Sequence, residues 1–122
     1  MSTASLWPDE LDALVAAPTH HRLLLENDRV RVLDTQIGPG HRTPVHTHQW
    51  PAVHYVLSWS AFVRRAADDT ILVDTRAAGP VAPTPTVLWG EPLAPHSLEN
   101  VGSSLIHIIS VELKSDDGRR PA

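Results

Sequence analysis

The chain of 122 residues contains no cysteine, the first of several informative absences. Without thiols there is no disulfide framework, no thiolate metal site and no cysteine nucleophile. No run of about 18 apolar residues is present, so no segment is predicted to span a membrane. The first residues also lack the basic start and apolar run of a secretory signal. These absences predict a cytoplasmic protein.

Strong charge of either sign is also lacking. Lysine and arginine together number 10 against 14 acidic residues, and the formal net charge is -4. Acids and bases are mixed along the chain, which argues against a nucleic-acid surface. The length is typical of one domain with one core. We therefore expect a single domain that acts on a small-molecule substrate, without a nucleic-acid or membrane partner.

Proline and histidine are abundant, with 11 and 8 residues. Turn residues divide most of the chain into short apolar or alternating segments, which predicts an all-β sandwich, jelly roll or closed barrel. One helix is predicted over residues 8–17, because Pro8 suits a first turn and Pro18 ends it. Strands are predicted over 21–26, 29–37, 42–48, 52–58, 60–66, 70–75, 86–89, 94–99 and 104–113.

The segment His46-Thr47-His48 is the first indication of chemistry. Residues i and i+2 of a strand point to the same face, so the two imidazoles can converge on one point. With eight histidines in the chain, roughly half of one such pair is expected by chance. On its own it fits a metal site and a solvated strand face equally well.

The surrounding residues resemble the two motifs of the cupin superfamily. The first motif reads G-x5-H-x-H-x(3,4)-E-x6-G, and Gly40, His46 and His48 match it. The second reads G-x5-P-x-G-x2-H-x3-N, and His96 and Asn100 match its second half. The resemblance implies a double-stranded β-helix (jelly-roll) barrel over residues 21–114. It also implies one metal ion held by the three histidines, with Asn100 bonding a turn. Residues 1–20 then form a helical N-terminal segment, and 115–122 a flexible tail.

The chain departs from the first motif at two positions. Ala52 stands where the motif has its glutamate, and Trp59 where it has its closing glycine. In ligand set the chain is therefore similar to three-histidine cupins such as acetylacetone dioxygenase. Three neutral imidazoles leave the charge of a divalent ion uncancelled, so the site is expected to attract an anionic ligand.

His54 lies two residues after Ala52 and is expected to point into the barrel. It is a candidate fourth metal ligand and a candidate catalytic acid or base. It also fits a role beside the ligands, or that of a hydrogen-bonded histidine in a polar interior.

Other titratable residues are given lesser roles. His20 and His21, at the junction of helix and first strand, are predicted to lie at the surface. Glu99 and Glu112 are expected on solvated faces, with a role as pocket acid or base left open.

The favoured function is an Fe(II) dioxygenase acting on a small anionic or enolisable substrate. In this reading His46, His48, His96 and His54 are the metal-site residues, and His54 handles the proton. One alternative is a non-redox lyase, isomerase, cyclase or hydrolase that uses Zn, Ni or Mn. Another is a binding protein without catalysis. A homodimer is expected, because an exposed sheet edge must be covered.

Overall fold

The computed structural model describes residues 6–78 and 83–114 of the chain. Nine strands are present, all at the predicted places. They are β1 His21–Glu26, β2 Val30–Ile37, β3 His46–His48, β4 Ala52–Ser58, β5 Phe62–Ala66, β6 Ile71–Asp74, β7 Thr86–Gly90, β8 Leu93–Asn100 and β9 Ile106–Leu113. β3 is shorter than the predicted 42–48, because Pro44 has no N–H group to donate to a strand ladder.

The predicted N-terminal helix is broken into two short pieces. A 3-10 turn spans Asp9–Leu11, and helix α1 spans Ala13–Ala16. Asp12 between them is extended, bridges Thr47 of β3 and caps α1 by accepting from the Leu14 N–H. A continuous helix was therefore a wrong prediction, because the Asp12 backbone joins the barrel. A second short helix, α2 at Thr75–Ala78, was not predicted.

The strands form two antiparallel sheets. The larger sheet has the order β1-β2-β9-β4-β7, and the smaller has the order β3-β8-β5-β6. Consecutive strands repeatedly fall in different sheets, which is the jelly-roll arrangement of a double-stranded β-helix. Within the described residues no helix has the length and apolar character needed to cross a bilayer. The division into N-terminal segment, barrel and tail stays a prediction, and residues 115–122 lie outside the described part.

The barrel is filled by apolar side chains at one end and opens into a cavity at the other. Ile37, Phe62 and Ile106 form the buried centre of the filled end. The partly buried side chains packed around them are Trp59, Val73, Leu98 and Ile108. Each fully buried side chain of this size contributes about 1.5–3 kcal/mol through removal from water.

Asn100 ties the turns at the filled end, in the structural role that the resemblance implied. Its side chain is fully buried and donates to the carbonyl oxygens of Ile37 at 2.8 Å and Ser104 at 2.7 Å. It accepts from the Gly102 N–H at 3.0 Å. This network holds the turn after β2 next to β8. It therefore positions β8, which carries His96, and the loop that leads from β2 to His46.

Candidate metal centre

Four histidines converge at the open end of the barrel. His46 and His96 are direct partners in the pairing of β3 with β8, and His48 lies on the same face two residues after His46. His21, the first residue of β1, reaches the group from the larger sheet. The ring centroids of His46 lie 4.5 Å from His96, 4.8 Å from His21 and 5.0 Å from His48. His46 is thus the central member of the cluster.

The ring nitrogens of His21, His46 and His48 are close enough to share one metal ion. One nitrogen from each ring lies within 4.8 Å of the other two. His96 lies beside these three, with its ring centroid 4.5 Å from that of His46 and 5.8 Å from that of His48, but it is not in the set whose nitrogens meet this distance. The structure therefore brings the three motif histidines together and adds His21. Their roles as ligands are a separate question, taken up under the proposed function.

A hydrogen bond at Nδ1 orients each of the four rings. The Nδ1 of His21, His46 and His96 lies 3.0, 2.8 and 2.7 Å from the carbonyl oxygens of Ala17, Pro44 and Ala94. The Nδ1 of His48 lies 3.0 Å from Oε2 of Glu112. A carbonyl oxygen, or the carboxylate of Glu112 in its ion pair with Arg31, can only accept, so these nitrogens carry the hydrogen. Each Nε2 then keeps a free lone pair, which is the form in which imidazole binds a metal.

Burial keeps the cluster neutral. It lowers the pKa of His21, His48 and His96 from 6.5 to about 3, helped by the neighbouring imidazoles. Burial also lowers the pKa of His46, against the carbonyl of Pro44, which favours the protonated form. Neutral imidazoles with free lone pairs fit a divalent transition metal such as zinc, iron, nickel or copper.

The prediction that His21 lies at the surface is wrong, since the residue is only 4% exposed. Its backbone follows the turn after α1, and β1 pairs with β2 so that His21 stands opposite Thr35, which lines the cavity. No local spacing relates position 21 to the motif histidines. Only the pairing of distant strands brings them together.

Glu112 stands beside the position that the motif glutamate would occupy. It is the direct partner of Ala52 in the pairing of β9 with β4, and such partners share a face of the sheet. Its side chain is 1% exposed, so the expectation of a solvated face is wrong. The alternation of Ile106, Ile108 and Glu112 along β9 was the signal that could have placed it inside.

Glu112 links the cluster to a buried ion-pair network. One oxygen faces His48, and the other accepts from Nε of Arg31 at 2.7 Å. The remaining Arg31 nitrogens donate to both oxygens of Asp12 at 2.9 Å. Burial raises the pKa of Glu112, and the Arg31 charge acts in the opposite direction. The Glu112 carboxylate therefore orients the His48 ring through a hydrogen bond to Nδ1, on the side of the ring away from Nε2.

His54 lines the same cavity of about 400 Å³ as the four histidines. Its Nδ1 lies 2.7 Å from the hydroxyl oxygen of Ser110, its partner across β4 and β9. Gly90 makes room for the ring, because a Cβ there would overlap Nε2 and come within 2.8 Å of Cδ2 of His54. Burial lowers the pKa of His54, while Glu112 opposes that shift.

The remaining walls of the cavity are mostly apolar, with one arginine. Arg64 on β5 reaches the cavity between the histidines and the filled end of the barrel. The apolar and aromatic lining residues are Ile37, Val56, Trp59, Phe62, Leu88, Trp89, Leu93, Leu98, Ile106 and Ile108. A pocket of this size and character suits a small organic ligand.

The depressed histidine pKa values predict acid sensitivity of the metal-free fold. The unfolded chain protonates these histidines near pH 6.5, whereas in the folded protein His21, His48 and His96 protonate near pH 3. Between these limits the unfolded state binds more protons, so acidification lowers the free energy of unfolding by about 1.4 kcal/mol per pH unit for each histidine. Urea unfolding in the presence of a chelator, at about pH 7.5, 6 and 4.5, measures this slope.

The variant His21→Asn removes one of the histidines with a lowered pKa, so its slope is expected to be smaller than that of the wild type. A metal-free protein whose stability stays constant between about pH 6.5 and 4.5 contradicts the neutral, buried state of the cluster.

Compared by sequence, the chain matches no family model and no curated protein. By structure it is similar to a cupin domain from Bordetella pertussis, with a TM-score of 0.58 and 15% identity over 78% of this chain and 92% of that one. A double-stranded β-helix domain from Klebsiella pneumoniae gives a TM-score of 0.53 and 16% identity, over 80% and 78% of the two chains. A cupin-family protein from Methanocaldococcus jannaschii gives a TM-score of 0.53 and 8% identity, over 93% and 92%.

These similarities confirm the predicted fold class, the double-stranded β-helix of cupins. At such low identity they establish the fold and leave the activity to be argued from the site.

Proposed function

We propose that this protein is a metal-dependent cupin enzyme whose single divalent ion is held by His46, His48, His96 and His21. The observation that carries the proposal is the common orientation of the four rings. Each Nδ1 is bonded to an oxygen of the protein, so each Nε2 lone pair is free to bind a metal at the open end of the cavity. Hydrogen bonds of this kind are typical of metal-binding histidines.

Among metals we favour Fe(II), and among reactions the dioxygenation of a small anionic or enolisable substrate. Four neutral nitrogen donors leave the charge of a divalent ion uncancelled, which favours an anionic substrate beside it. The bound metal supplies the electrophilic and redox chemistry. The protein residues orient the substrate, and the apolar walls exclude water from it.

His54 is proposed as the residue that moves the substrate proton. Its ring lines the cavity and is fixed by Ser110, and burial keeps it in the neutral form that can accept a proton. An imidazole in this state is a suitable general base.

The test of the proposed function begins with metal analysis of protein purified without a histidine tag. Iron is expected at about one ion per chain. Oxygen uptake by the iron-loaded protein is then measured with β-diketones, catechols and 2-oxo acids. Uptake with at least one class supports the proposal. Iron-loaded protein that consumes no oxygen with any of them contradicts the dioxygenase.

A non-redox reaction at the same site is the second candidate. The observation in its favour is the all-nitrogen donor set, which suits zinc and nickel as well as iron. Purified protein that contains zinc or nickel, and that turns over a substrate without oxygen, supports a lyase, isomerase, cyclase or hydrolase. Protein that binds no metal in any form leaves only the binding-protein alternative.

The role of His54 can be separated from metal binding by His54→Gln. We expect this variant to retain metal at full stoichiometry and to lose about 100-fold or more in kcat, the usual contribution of a general base. His107→Gln is the control, because His107 lies outside the cavity and contacts Asp34 at 3.0 Å. Loss of metal from His54→Gln contradicts a purely proton-transfer role and makes His54 a ligand.

We also propose a homodimer formed through the outer face of the larger sheet. Tyr55, Val87 and Trp89 lie on neighbouring strands of this face and are 43%, 61% and 56% exposed. β7, which carries two of them, is an edge strand. Light scattering is expected to give twice the chain mass for the wild type and the chain mass for Val87→Asp. A monomeric wild type contradicts the dimer.

A cytoplasmic location remains a prediction from the lack of cysteine.

A further inference from the structure

Arg64 is a partly buried cation that pairs with no acidic group in the described part of the chain. Within residues 6–78 and 83–114 it takes part in no salt bridge, and its Nε atom is buried without a hydrogen-bond acceptor. Its closest described ring contact is Phe62, with the guanidinium carbon 5.9 Å from the ring centroid. Buried arginines are normally paired, because removing an uncompensated charge from water is costly. The guanidinium therefore has unused capacity to bind an anion.

Arg65, the next residue on the same strand, already has an acidic partner in the protein. Arg65 points away from the cavity and donates to Glu99 at 2.7 Å. The two arginines therefore share a strand and differ in surroundings, since one has a carboxylate of the protein and the other faces the cavity. Among the described residues that line the cavity, the only acidic side chain is Glu91, and it already accepts from Nε1 of Trp89.

The position of Arg64 relates it directly to the histidine cluster. Arg64 pairs with Leu98 of β8, and Leu98 lies two residues after His96 on the same face. Arg64 thus stands one step deeper in the barrel than the cluster. Its charge is close enough to lower the pKa of both His54 and His96. An anion bound by Arg64 would lie between the histidines and the apolar end of the cavity.

We infer that Arg64 binds the carboxylate of the substrate, and that the substrate is a small organic acid whose carbonyl oxygen faces the histidine cluster. This inference deepens the proposed function and rests on it for the role of the cluster. A guanidinium matches a carboxylate with two parallel hydrogen bonds, which fixes the orientation of the acid as well as its position. The apolar lining around Phe62 and Trp59 accommodates the carbon skeleton.

The test uses a matched pair of probes, phenylpyruvate and phenylacetone. Phenylpyruvate carries a carboxylate where phenylacetone carries a methyl group. Calorimetry measures their dissociation constants for the wild type, Arg64→Met, Arg64→Lys and Arg65→Met, in metal-loaded and in chelator-treated protein. For phenylpyruvate we expect Arg64→Met to bind about 10- to 100-fold more weakly, the usual effect of losing a charged hydrogen bond. Phenylacetone binding is expected to change by less than about twofold, and Arg65→Met is expected to bind both probes like the wild type.

The free energy of unfolding shows whether Arg64 has a structural role in place of a ligand-binding one. Because Arg64 has no acidic partner among the described residues, Arg64→Met is expected to leave the free energy of unfolding unchanged or higher. Destabilisation of Arg64→Met, with equal weakening of both probes, overturns the inference. So does a wild type that binds phenylpyruvate no better than phenylacetone.

The chelator-treated arm separates this inference from the proposed function. If phenylpyruvate binds metal-free wild type through Arg64 while no metal binds to the cluster, the inference stands and the metal-dependent function fails. If phenylpyruvate binds only metal-loaded protein, and Arg64→Met binds it equally well, the carboxylate goes to the metal. In that case the role of Arg64 is overturned and the metal centre stands.

Discussion

Replacing His46 by alanine is expected to lower the affinity of the protein for Zn²⁺ or Co²⁺ by more than about 100-fold. Residues that only support a metal ligand typically change affinity by about 10- to 100-fold, and a ligand itself should exceed that range. Replacing His46 is the strictest test of the metal site, because His46 lies at the centre of the cluster. Its ring centroid is 4.5 to 5.0 Å from those of the other three histidines. Competition with a chromophoric chelator measures the affinity, and the visible spectrum of Co²⁺ reports the number of nitrogen donors.

His41→Ala is the matched control, since His41 is an exposed residue of the turn before β3. It should bind metal like the wild type. The same titration on His21→Ala and His96→Ala compares the histidine added by the fold with the one supplied by the motif. Full metal affinity in His46→Ala contradicts the whole assignment. Full affinity in His21→Ala alone restricts the ligands to the three motif histidines.

Replacing Arg31 by methionine is expected to reduce the free energy of unfolding by about 3–5 kcal/mol, the usual cost of removing one partner from a buried ion pair. Arg31 lies between Glu112, which is 1% exposed, and Asp12, which is 16% exposed, and no other arginine of residues 6–78 and 83–114 pairs with either. Without it two carboxylates remain close together with reduced access to water. The loss should also reach α1, because Asp12 caps that helix. Urea unfolding at neutral pH measures the difference.

Arg22→Met is the control, because Arg22 pairs with Asp34 through a side chain that is 73% exposed. An exposed pair contributes at most about 1 kcal/mol. If Arg31→Met is no more destabilised than Arg22→Met, the ion-pair network around Glu112 does not stabilise the fold. Arg31→Met is also expected to weaken metal binding by about 10-fold or more, because the Glu112 carboxylate that orients His48 loses the hydrogen bond that Arg31 donates to its other oxygen.

The strands could be predicted from the sequence because turn residues mark their ends. Every predicted strand is present, and all of the predicted bounds except the start of β3 lie within two residues of the observed ones. The motif histidines could be predicted because their spacing in the sequence matches that of the two cupin motifs. His54 was correctly expected inside the barrel, since it alternates with the exposed Tyr55.

The rest of the site depends on pairing between strands distant in sequence. His21 enters the cluster through the pairing of β1 with β2, and Glu112 reaches His48 through the pairing of β9 with β4. Arg64 was not recognised as a pocket residue, because the alternation of Arg64 and Arg65 gives no sign of which one faces inward. Local patterns predict which residues share a face, and only the sheet order decides which faces meet.

The hydrogen bonds behind the four rings determine how the centre can be tuned. Three of the rings are held by main-chain carbonyls, those of Ala17, Pro44 and Ala94, which no side-chain substitution removes. His48 has a carboxylate partner, Glu112, and a carboxylate makes an imidazole a stronger electron donor than a carbonyl does. The electron-donating strength of the centre, and with it the reduction potential of a bound redox metal, can therefore be adjusted through position 112 while the other three rings stay in place.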